Sequence, residues 1–293
     1  MDSKRYEHLF GGFAGGVAST LVCHPLDLLK IRFSANEGSK YRPYYKSYWH
    51  ATKCILRSGG IRSLYQGVVP NIVGASMSWG LYFQFYYAMK HQCTQQSITT
   101  GIEVCDNLLL GMVSGGCVLA ITNPIWVVKT RLCLQYENEV VRRYKGLVHC
   151  ICKMVQDEGF KALYNGFIPG LLGTTHGAVQ FMLYNYMKEK KFKRLRVPMD
   201  QKLSTIDYLL YSAVSKILAT TVTYPHQVLR TRLQDHHIKY NGILDVIMKT
   251  LTTEGIRGLY KGLLIANVRQ LPAAIITFVT YENVYHFIKN LPI

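Results

Sequence analysis

The chain has 293 residues, and 34 lysines and arginines against 17 aspartates and glutamates give a formal net charge of +17 at pH 7. Hydrophobic residues make up 49% of the chain and charged residues only 17%, below the roughly 25% typical of soluble domains. The 21 tyrosines and 11 phenylalanines exclude an intrinsically disordered chain, which would be poor in aromatic residues.

Six long segments that are nearly free of charge follow one another along the chain. They span residues 9–26, 68–89, 107–128, 162–187, 208–229 and 263–281. The first four contain no Lys, Arg, Asp or Glu, and the last two contain only Lys216 and Arg269, respectively. Because roughly 20 such residues in a helix cross a bilayer core of about 30 Å, the pattern predicts six membrane-spanning helices.

Three sequence markers recur in a constant order. One is a proline followed by basic residues five and seven positions later, at Pro25, Pro124 and Pro225. A Tyr-x-Gly marker ends at Gly67, Gly166 and Gly262, and a related marker begins 20 residues before its tyrosine in every copy, at Tyr45, Tyr144 and Tyr240. Such regular recurrence identifies a triplicated unit. We expect a single domain over residues 1–293, with repeats at about 6–92, 104–192 and 205–290.

A polar, basic stretch lies between the two apolar segments of each repeat, at 45–63, 144–162 and 240–258. Its apolar residues are spaced i, i+3, i+4, which predicts a short amphipathic helix along the membrane surface. These stretches hold most of the lysines and arginines, so they should face the compartment that retains positive charge. An even number of spans then places both termini on the opposite side.

The triple pattern P-x-[D/E]-x-x-[K/R]-x-[K/R], with an aromatic-x-Gly marker after each copy, resembles the mitochondrial carrier family from about Leu9 to Phe287. The resemblance implies an all-α membrane protein, with six transmembrane helices in three pseudo-symmetric repeats and short amphipathic helices on the matrix side. It also implies a monomeric solute transporter of the inner membrane, not an enzyme, with its termini toward the intermembrane space. Proline kinks at Pro25, Pro124 and Pro225 would bring three helix ends together.

The resemblance also implies a ring of charges at the matrix gate, which this sequence fills only in part. The acidic positions hold Asp27, Trp126 and Gln227. The basic positions hold Lys30, Lys129 and Arg230. We expect one complete ion pair, Asp27 with Lys129. Gln227 would hydrogen-bond to Lys30, and Trp126 would stack on Arg230.

The family has a second gate on the opposite side, at the ends of the even-numbered spans. The corresponding residues here are Lys90, Lys188 and Glu282. We expect one ion pair, Glu282 with Lys90. One ion pair at each gate would hold that gate closed only weakly. The remaining basic residues would be cations without an anionic partner in the cavity.

Arg269 is the single charge of the last span, and a charge at membrane depth predicts a functional site. It falls seven residues after Gly262, where members of the family have a substrate contact. The equivalent positions are Gly74, Gly173 and Thr174. Small residues on two helices and an arginine on the third leave room for a bulky planar group beside an anion clamp. The alternative is that Arg269 only braces its helix.

Lys216 stands where the first two repeats have Gly16 and Gly115, each of which closes a G-x-x-x-G pair with Gly12 or Gly111. Such pairs let helices touch, so a lysine there predicts a side chain directed into the cavity. The alternative is snorkelling to the interface. Trp79 and Tyr82 could stack on a planar substrate, although an aromatic stripe also fits packing or an interfacial belt.

Trp126 narrows the family resemblance. Pro-Ile-Trp-x-x-Lys-Thr-Arg at 124–131 resembles the branch that carries pyrimidine nucleotides, NAD, folates and FAD. Stretches at 24–33, 78–83, 176–182 and 232–236 are most similar to folate and FAD carriers within that branch. We therefore predict FAD as the transported substrate, with folate, or NAD or a pyrimidine nucleotide, as alternatives. No prosthetic group is expected.

Helix N-termini offer free N–H groups and a positive dipole end to phosphates. The family resemblance implies that cardiolipin binds at such places, here at Gly67, Gly166, Gly262, Gly146 and Gly242. Ser47 replaces the glycine of the first amphipathic stretch.

Other classes of function fit poorly. The eight cysteines form no C-x-x-C pair, so we expect neither a metal site nor a disulfide framework. Basic residues recur at threefold positions around apolar segments instead of on one face, which disfavours nucleic-acid binding. No nucleotide-binding loop, zinc-protease motif or nucleophile elbow is present. The first 12 residues have neither a secretory signal pattern nor an Arg/Ser-rich transit pattern, so we expect any organelle address further along the chain.

Overall fold

The computed structural model describes residues 3–38, 42–96, 101, 103–136, 143–195 and 204–289. Within these ranges the chain is all-α, with ten α-helices and two short 3-10 helices. The α-helices are α1 (Ser3–Ala35), α2 (Tyr48–Ser63), α3 (Val68–Gln95), α4 (Glu103–Cys133), α5 (Leu147–Glu158), α6 (Phe167–Leu172), α7 (Thr175–Leu195), α8 (Thr205–Gln234), α9 (Ile243–Glu254) and α10 (Leu263–Lys289). The predicted domain ends at 1–2 and 290–293 lie outside the described residues.

Each repeat has a long helix, a short helix and a second long helix. The first long helices are α1, α4 and α8, and each contains the proline of its repeat. The short helices are α2, α5 and α9. The second long helices are α3, the α6–α7 pair and α10. The fold class predicted from the sequence is therefore found.

The fourth apolar segment is not one continuous helix, contrary to the sequence-based expectation. It begins with a 3-10 turn at Phe160–Tyr164, and α6 ends at Leu172 before α7 begins at Thr175. The Gly173 N–H donates to the carbonyls of both Pro169 and Gly170, which tightens the last turn of α6. A glycine followed by two threonines has low helix propensity, so the break falls there.

The long helices pair across repeat boundaries. α1 packs along α10, α3 along α4, and α7 along α8, so the three repeats close into a ring. Small residues allow the closest approach: a Cβ on Gly15 would lie 2.6 Å from the Thr277 carbonyl oxygen. The sequence predicts that Gly12 and Gly16 contact a neighbouring helix, but both face open space. The interface with α10 uses the adjacent Gly15 instead. Gly111 and Gly115 do approach neighbouring side chains, those of Tyr82 and Thr174.

Three arginines join the C-terminal ends of α1, α4 and α8 in a cycle. Arg32 Nε donates to the Cys133 carbonyl at 3.0 Å. Arg131 Nε donates to the Gln234 carbonyl at 3.1 Å, and Arg232 Nε donates to the Ser34 carbonyl at 3.2 Å. All three side chains are fully buried. Each repeat is thus bonded to the next one, and this arginine cycle closes this end of the molecule.

The short helices have the predicted amphipathic pattern. α5 buries Cys150 and Met154, and α9 buries Val246 and Thr250, each pair spaced by four residues. The N-cap of α2 is Ser47, whose hydroxyl accepts from the His50 N–H at 3.2 Å. A buried stripe on each short helix fixes it against the ends of the long helices.

Two segments, Cys105–Cys133 and Ile256–Lys289, are long and apolar enough by length and composition to cross a membrane. Large apolar side chains are also exposed along the outer surfaces of the long helices, among them Phe13, Leu109, Leu209 and Phe278. Exposed apolar surface of this extent is typical of helices that face another apolar medium.

Candidate functional site

A cavity of about 450 Å³ lies between α1, α3, α4, α6 and α8. Its walls include all six residues predicted for the matrix gate: Asp27, Lys30, Trp126, Lys129, Gln227 and Arg230. Gly173 and Thr174 also line it. The volume of this cavity is within the range of small-molecule sites. The arginine cycle lies at the closed end of the cavity.

Asp27 lies at the centre of the charged groups around this cavity. Its side chain is 6% exposed. Arg269 Nε is 2.8 Å from Oδ1, and Lys129 Nζ is 4.0 Å from Oδ2. Asn71 Nδ2 also donates to Oδ2 at 3.4 Å. The expected partner Lys129 is therefore at the limit of ion-pair distance, and Arg269 is nearer.

The contact between Arg269 and Asp27 is an ion pair without an aligned hydrogen bond, because Nε has no partner of hydrogen-bond geometry in the described residues. The Arg269 side chain remains about one-third exposed. An ion pair without an aligned hydrogen bond has little dependence on geometry. A second anion could therefore compete with Asp27 for the guanidinium.

Cations outnumber anions around the cavity. Among the described lining residues, Lys30, Lys129 and Arg230 are cationic and Asp27 is the single anion. Arg269 adds another positive charge from α10. Low-dielectric walls concentrate the field of such charges, so the cavity attracts anions.

The three equivalent positions on the second long helices meet the proline motifs of the next repeat. A Cβ on Gly74 would lie 3.4 Å from the Trp126 ring. A Cβ on Gly173 would lie 2.8 Å from His226 Nε2. Arg269 contacts Asp27. In this structure the space beside Gly74 and Gly173 is therefore occupied by side chains of the protein itself, not left open as expected.

Two of the expected contacts at the matrix gate are replaced by others. The Trp126 ring lies under Lys129, with Nζ 5.2 Å from the ring centroid, and does not stack on Arg230. Arg230 instead lies against Gly170 and donates to Asn123 Oδ1 at 3.4 Å. No hydrogen bond joins Gln227 to Lys30 among the described side chains. The observed contacts at the matrix gate therefore differ from the predicted ones, because the rotation of each helix about its axis decides which side chains meet.

Trp79, Tyr82 and Lys216 are not among the residues that line this cavity. Trp79 is 65% exposed and lies in a row with Phe83 and Tyr87, the adjacent rings being stacked. The Tyr82 hydroxyl lies against Gly111 of α4. Lys216 is exposed on α8.

His226 and Asn71 are among the site residues that the sequence does not predict. His226 lines the cavity and fills the space left by Gly173. Asn71 contacts both Asp27 and His24. His226 is next to Gln227 in the third proline motif, which is the signal that could have found it.

The residues predicted for the opposite gate do not pair with one another. Glu282 faces His286 at 3.7 Å instead of Lys90. Lys90 donates to Asn107 Oδ1 at 3.4 Å, and Lys188 lies over the Phe192 ring. The expected Glu282–Lys90 pair is thus not formed in this structure. The arginine cycle closes the opposite end of the molecule.

The glycines of the Tyr-x-Gly markers have left-handed backbones and precede α3, α6 and α10: φ is 79° at Gly67, 73° at Gly166 and 91° at Gly262. A Cβ on each would lie 3.0 Å from the carbonyl oxygen of a basic residue in the next proline motif. Those residues are, in order, Lys129, Arg230 and Lys30. These glycines are required for close packing, whatever else they bind.

A smaller cavity of about 260 Å³ connects the N-terminal ends of α3 and α5. Gly67 and Gly146 both line it, together with Tyr65, Tyr144 and Lys145. The remaining predicted lipid position, Gly242, is the N-cap residue of α9.

Three repeats of paired long helices around a cationic cavity define a solute carrier. The family model described as "Mitochondrial carrier protein" matches residues 2–97, 101–195 and 201–291. The chain belongs to the mitochondrial carrier family, whose members are transporters and not enzymes.

Three of the similar proteins are named for different substrates. The chain is 37% identical to "Folate transporter 1, chloroplastic" of Arabidopsis thaliana, over 99% of this chain and 98% of that protein. It is 35% identical to "Mitochondrial nicotinamide adenine dinucleotide transporter 1" of Saccharomyces cerevisiae, over 99% of this chain and 79% of the relative. It is 30% identical to "Mitochondrial FAD carrier protein FLX1" of the same yeast, over 96% of each chain.

Proposed function

We propose that the chain transports FAD across the mitochondrial inner membrane by alternating access. The observation that carries this proposal is the cationic cavity beside an indole: Lys30, Lys129 and Arg230 around Trp126, with Arg269 at its edge. FAD combines a diphosphate, which requires cations, with two planar ring systems that can stack on an aromatic face. The similarity to a yeast FAD carrier supports the same substrate.

Folate is the second candidate. It also combines a planar fused ring with an anionic end, so the same cavity groups suit it. The higher identity to the Arabidopsis folate transporter, 37% against 30% for the yeast FAD carrier, favours it. NAD is a third member of the same chemical class.

In the proposed mechanism the substrate enters from the intermembrane-space side, where the predicted gate residues do not pair with one another. Its anionic group then competes with Asp27 for Arg269, with Lys216 assisting. Once released from Arg269, the Asp27 carboxylate is left with Lys129 as its neighbouring cation. Substrate binding thereby changes the charge pairs of the matrix gate, which is how binding can shift the balance between inward-open and outward-open states.

Each predicted gate has at most one complete ion pair, so little energy is needed to open either. We therefore expect net transport without a counter-substrate. We also propose a monomeric carrier with its termini toward the intermembrane space, and cardiolipin phosphates at the helix N-termini near Gly67, Gly166 and Gly262, and near Gly146 and Gly242.

The test is uptake by proteoliposomes that contain the pure protein and no internal substrate, with labelled FAD, a reduced folate and NAD offered in parallel. Saturable FAD uptake that excess folate fails to inhibit is the expected result. Uptake of folate with no effect of FAD would assign the carrier to folate. A strict requirement for an internal solute would contradict net transport.

The variant Arg269→Gln tests the site within the same assay. Loss of a charge-assisted contact worth about 2 kcal/mol should lower kcat/KM by roughly 30-fold. Lys289→Gln, on the same helix but outside the cavity, serves as the matched control. Wild-type uptake by Arg269→Gln would remove Arg269 from the proposed site, and thermal unfolding of both variants checks that the fold is retained.

A further inference from the structure

Three consecutive residues with metal-ligand side chains follow α8: Asp235, His236 and His237. One ligand atom from each lies within 4.8 Å of the others. Asp235 Oδ1 is 2.9 Å from His237 Nδ1 and 3.9 Å from His236 Nδ1. The cluster lies at the closed end of the molecule, outside the apolar spans and apart from the central cavity.

The His236 imidazole is buried, and its Nδ1 has no hydrogen-bond partner among the described residues. Its side chain is 4% exposed. A buried polar nitrogen without a partner is costly, and imidazole is a common metal ligand.

Asp235 directs one carboxylate oxygen toward both histidines. Its other oxygen, Oδ2, accepts from the buried Arg42 guanidinium. Oδ1 of Asp235 adds a carboxylate oxygen to the two ring nitrogens.

We propose that Asp235, His236 and His237 bind one divalent transition-metal ion of the Zn²⁺ class. Two imidazoles and one carboxylate suit Zn²⁺, whereas Mg²⁺ and Ca²⁺ prefer oxygen ligands. With metal–ligand distances of about 2.0–2.1 Å, tetrahedral ligands lie roughly 3.4 Å apart, close to the separations found here. His237 is 14% exposed, which gives an ion access from the surface.

An ion at this position would link all three repeats. The ligands follow α8 of the third repeat, and Arg42 belongs to the first. Tyr136 and Tyr144 of the second repeat pack against the rings of His237 and His236, respectively. Because this end must open during alternating access, a bound ion should hold it closed and slow transport; that consequence rests on the proposed transport function.

The binding test uses the full-length protein in detergent with ZnCl₂ alone, and measures bound zinc after equilibrium dialysis together with thermal unfolding. We expect one Zn²⁺ per chain, a raised Tm, and no effect of MgCl₂. His236→Gln and His237→Gln should each weaken binding at least about tenfold. His149→Gln and His286→Gln, which change exposed histidines, should bind as the wild type does.

Co²⁺ provides a readout that does not depend on the stability of the variants. Two nitrogens and an oxygen give visible cobalt bands without a thiolate charge-transfer band, whereas binding at any of the eight cysteines would produce that band. A thiolate band, no binding, or zinc binding that survives both histidine variants would overturn the proposal. The binding and cobalt measurements do not use transport, so they would detect the metal site even if the carrier transports another substrate. The effect of Zn²⁺ on uptake is measured in a separate experiment.

Discussion

At the residue scale, the central finding is that one carboxylate connects the proposed substrate site to the matrix gate. Asp27 is almost fully buried and contacts Arg269 of the third repeat, Lys129 of the second and Asn71 of its own. A buried charge requires such partners, since an unpaired carboxylate would be far too costly to desolvate. The equivalent interfaces have Gly74 against Trp126 and Gly173 against His226, with no charge.

Replacing Asp27 by Asn tests this connection. The asparagine keeps the shape but no longer competes with an anionic substrate for Arg269, so KM should fall several-fold. The matrix gate loses its ion pair, so kcat should also fall, by roughly tenfold for about 1.4 kcal/mol. Uptake kinetics in proteoliposomes separate the two effects, with Asp245→Asn, at a partly exposed carboxylate of α9 outside the cavity, as the control. Unchanged KM and kcat would show that Asp27 has no part in the cycle.

At the element scale, the entry into each second long helix depends on a glycine with a left-handed backbone. Gly67, Gly166 and Gly262 each lie against a backbone carbonyl of the next repeat. A side chain there would both strain φ and separate two elements that must touch. The Tyr-x-Gly markers found in the sequence are therefore packing features at repeat boundaries.

Gly67→Ala should lower the free energy of unfolding by about 2–3 kcal/mol, as the sum of backbone strain and a close contact with Cys133 Sγ and the Lys129 carbonyl. Gly38 provides the control, because its φ is also positive, at 84°, but an added Cβ would meet open space. Gly38→Ala should therefore cost only the backbone strain, about 1 kcal/mol. Equal losses of stability in the two variants, measured by thermal unfolding in detergent, would contradict the close-packing role.

At the scale of the whole molecule, the arginine cycle holds the three repeats together. Arg131 also pairs with Glu158 through two hydrogen bonds, at 2.5 and 2.7 Å, which hold the pKa of that carboxyl below its usual range. Arg232 forms an ion pair with Glu254, in which Nη2 donates one hydrogen bond to Oε2 at 3.0 Å and Nη1 lies 2.7 Å from Oε1. Arg32 has Gly59 at the equivalent position and instead contacts the Gln66 side chain, the Gln135 carbonyl and the Tyr136 ring.

Arg131→Lys tests the cycle. A lysine keeps the charge but cannot donate to the Gln234 carbonyl and bind Glu158 through two parallel bonds at once. We expect a loss of about 3 kcal/mol of stability and a Tm several degrees lower. Arg143→Lys, at a partly exposed arginine that also approaches Glu158, should change Tm little. Equal Tm values in the two variants would show that the cycle does not stabilise the closed end.

The number of repeats, the order of long and short helices and the proline positions could be predicted from the sequence, because each is a local pattern. Apolar length sets the spans, i, i+3, i+4 spacing sets the short helices, and the recurrence of three markers sets the repeats. Even so, the break at Gly173 was missed, since apolar composition alone does not show where a helix is interrupted.

The partners of the site residues were decided only by the tertiary structure. Arg269 and Asp27 are far apart in the chain, and which cation lies nearest Asp27 depends on how α1, α4 and α10 are rotated against one another. The same rotations bring Gly15 instead of Gly16 to the interface with α10, and fill the space beside Gly74 with Trp126. A periodic pattern fixes which residues share a face of a helix, but the direction of that face is set by packing between repeats, which no local pattern contains.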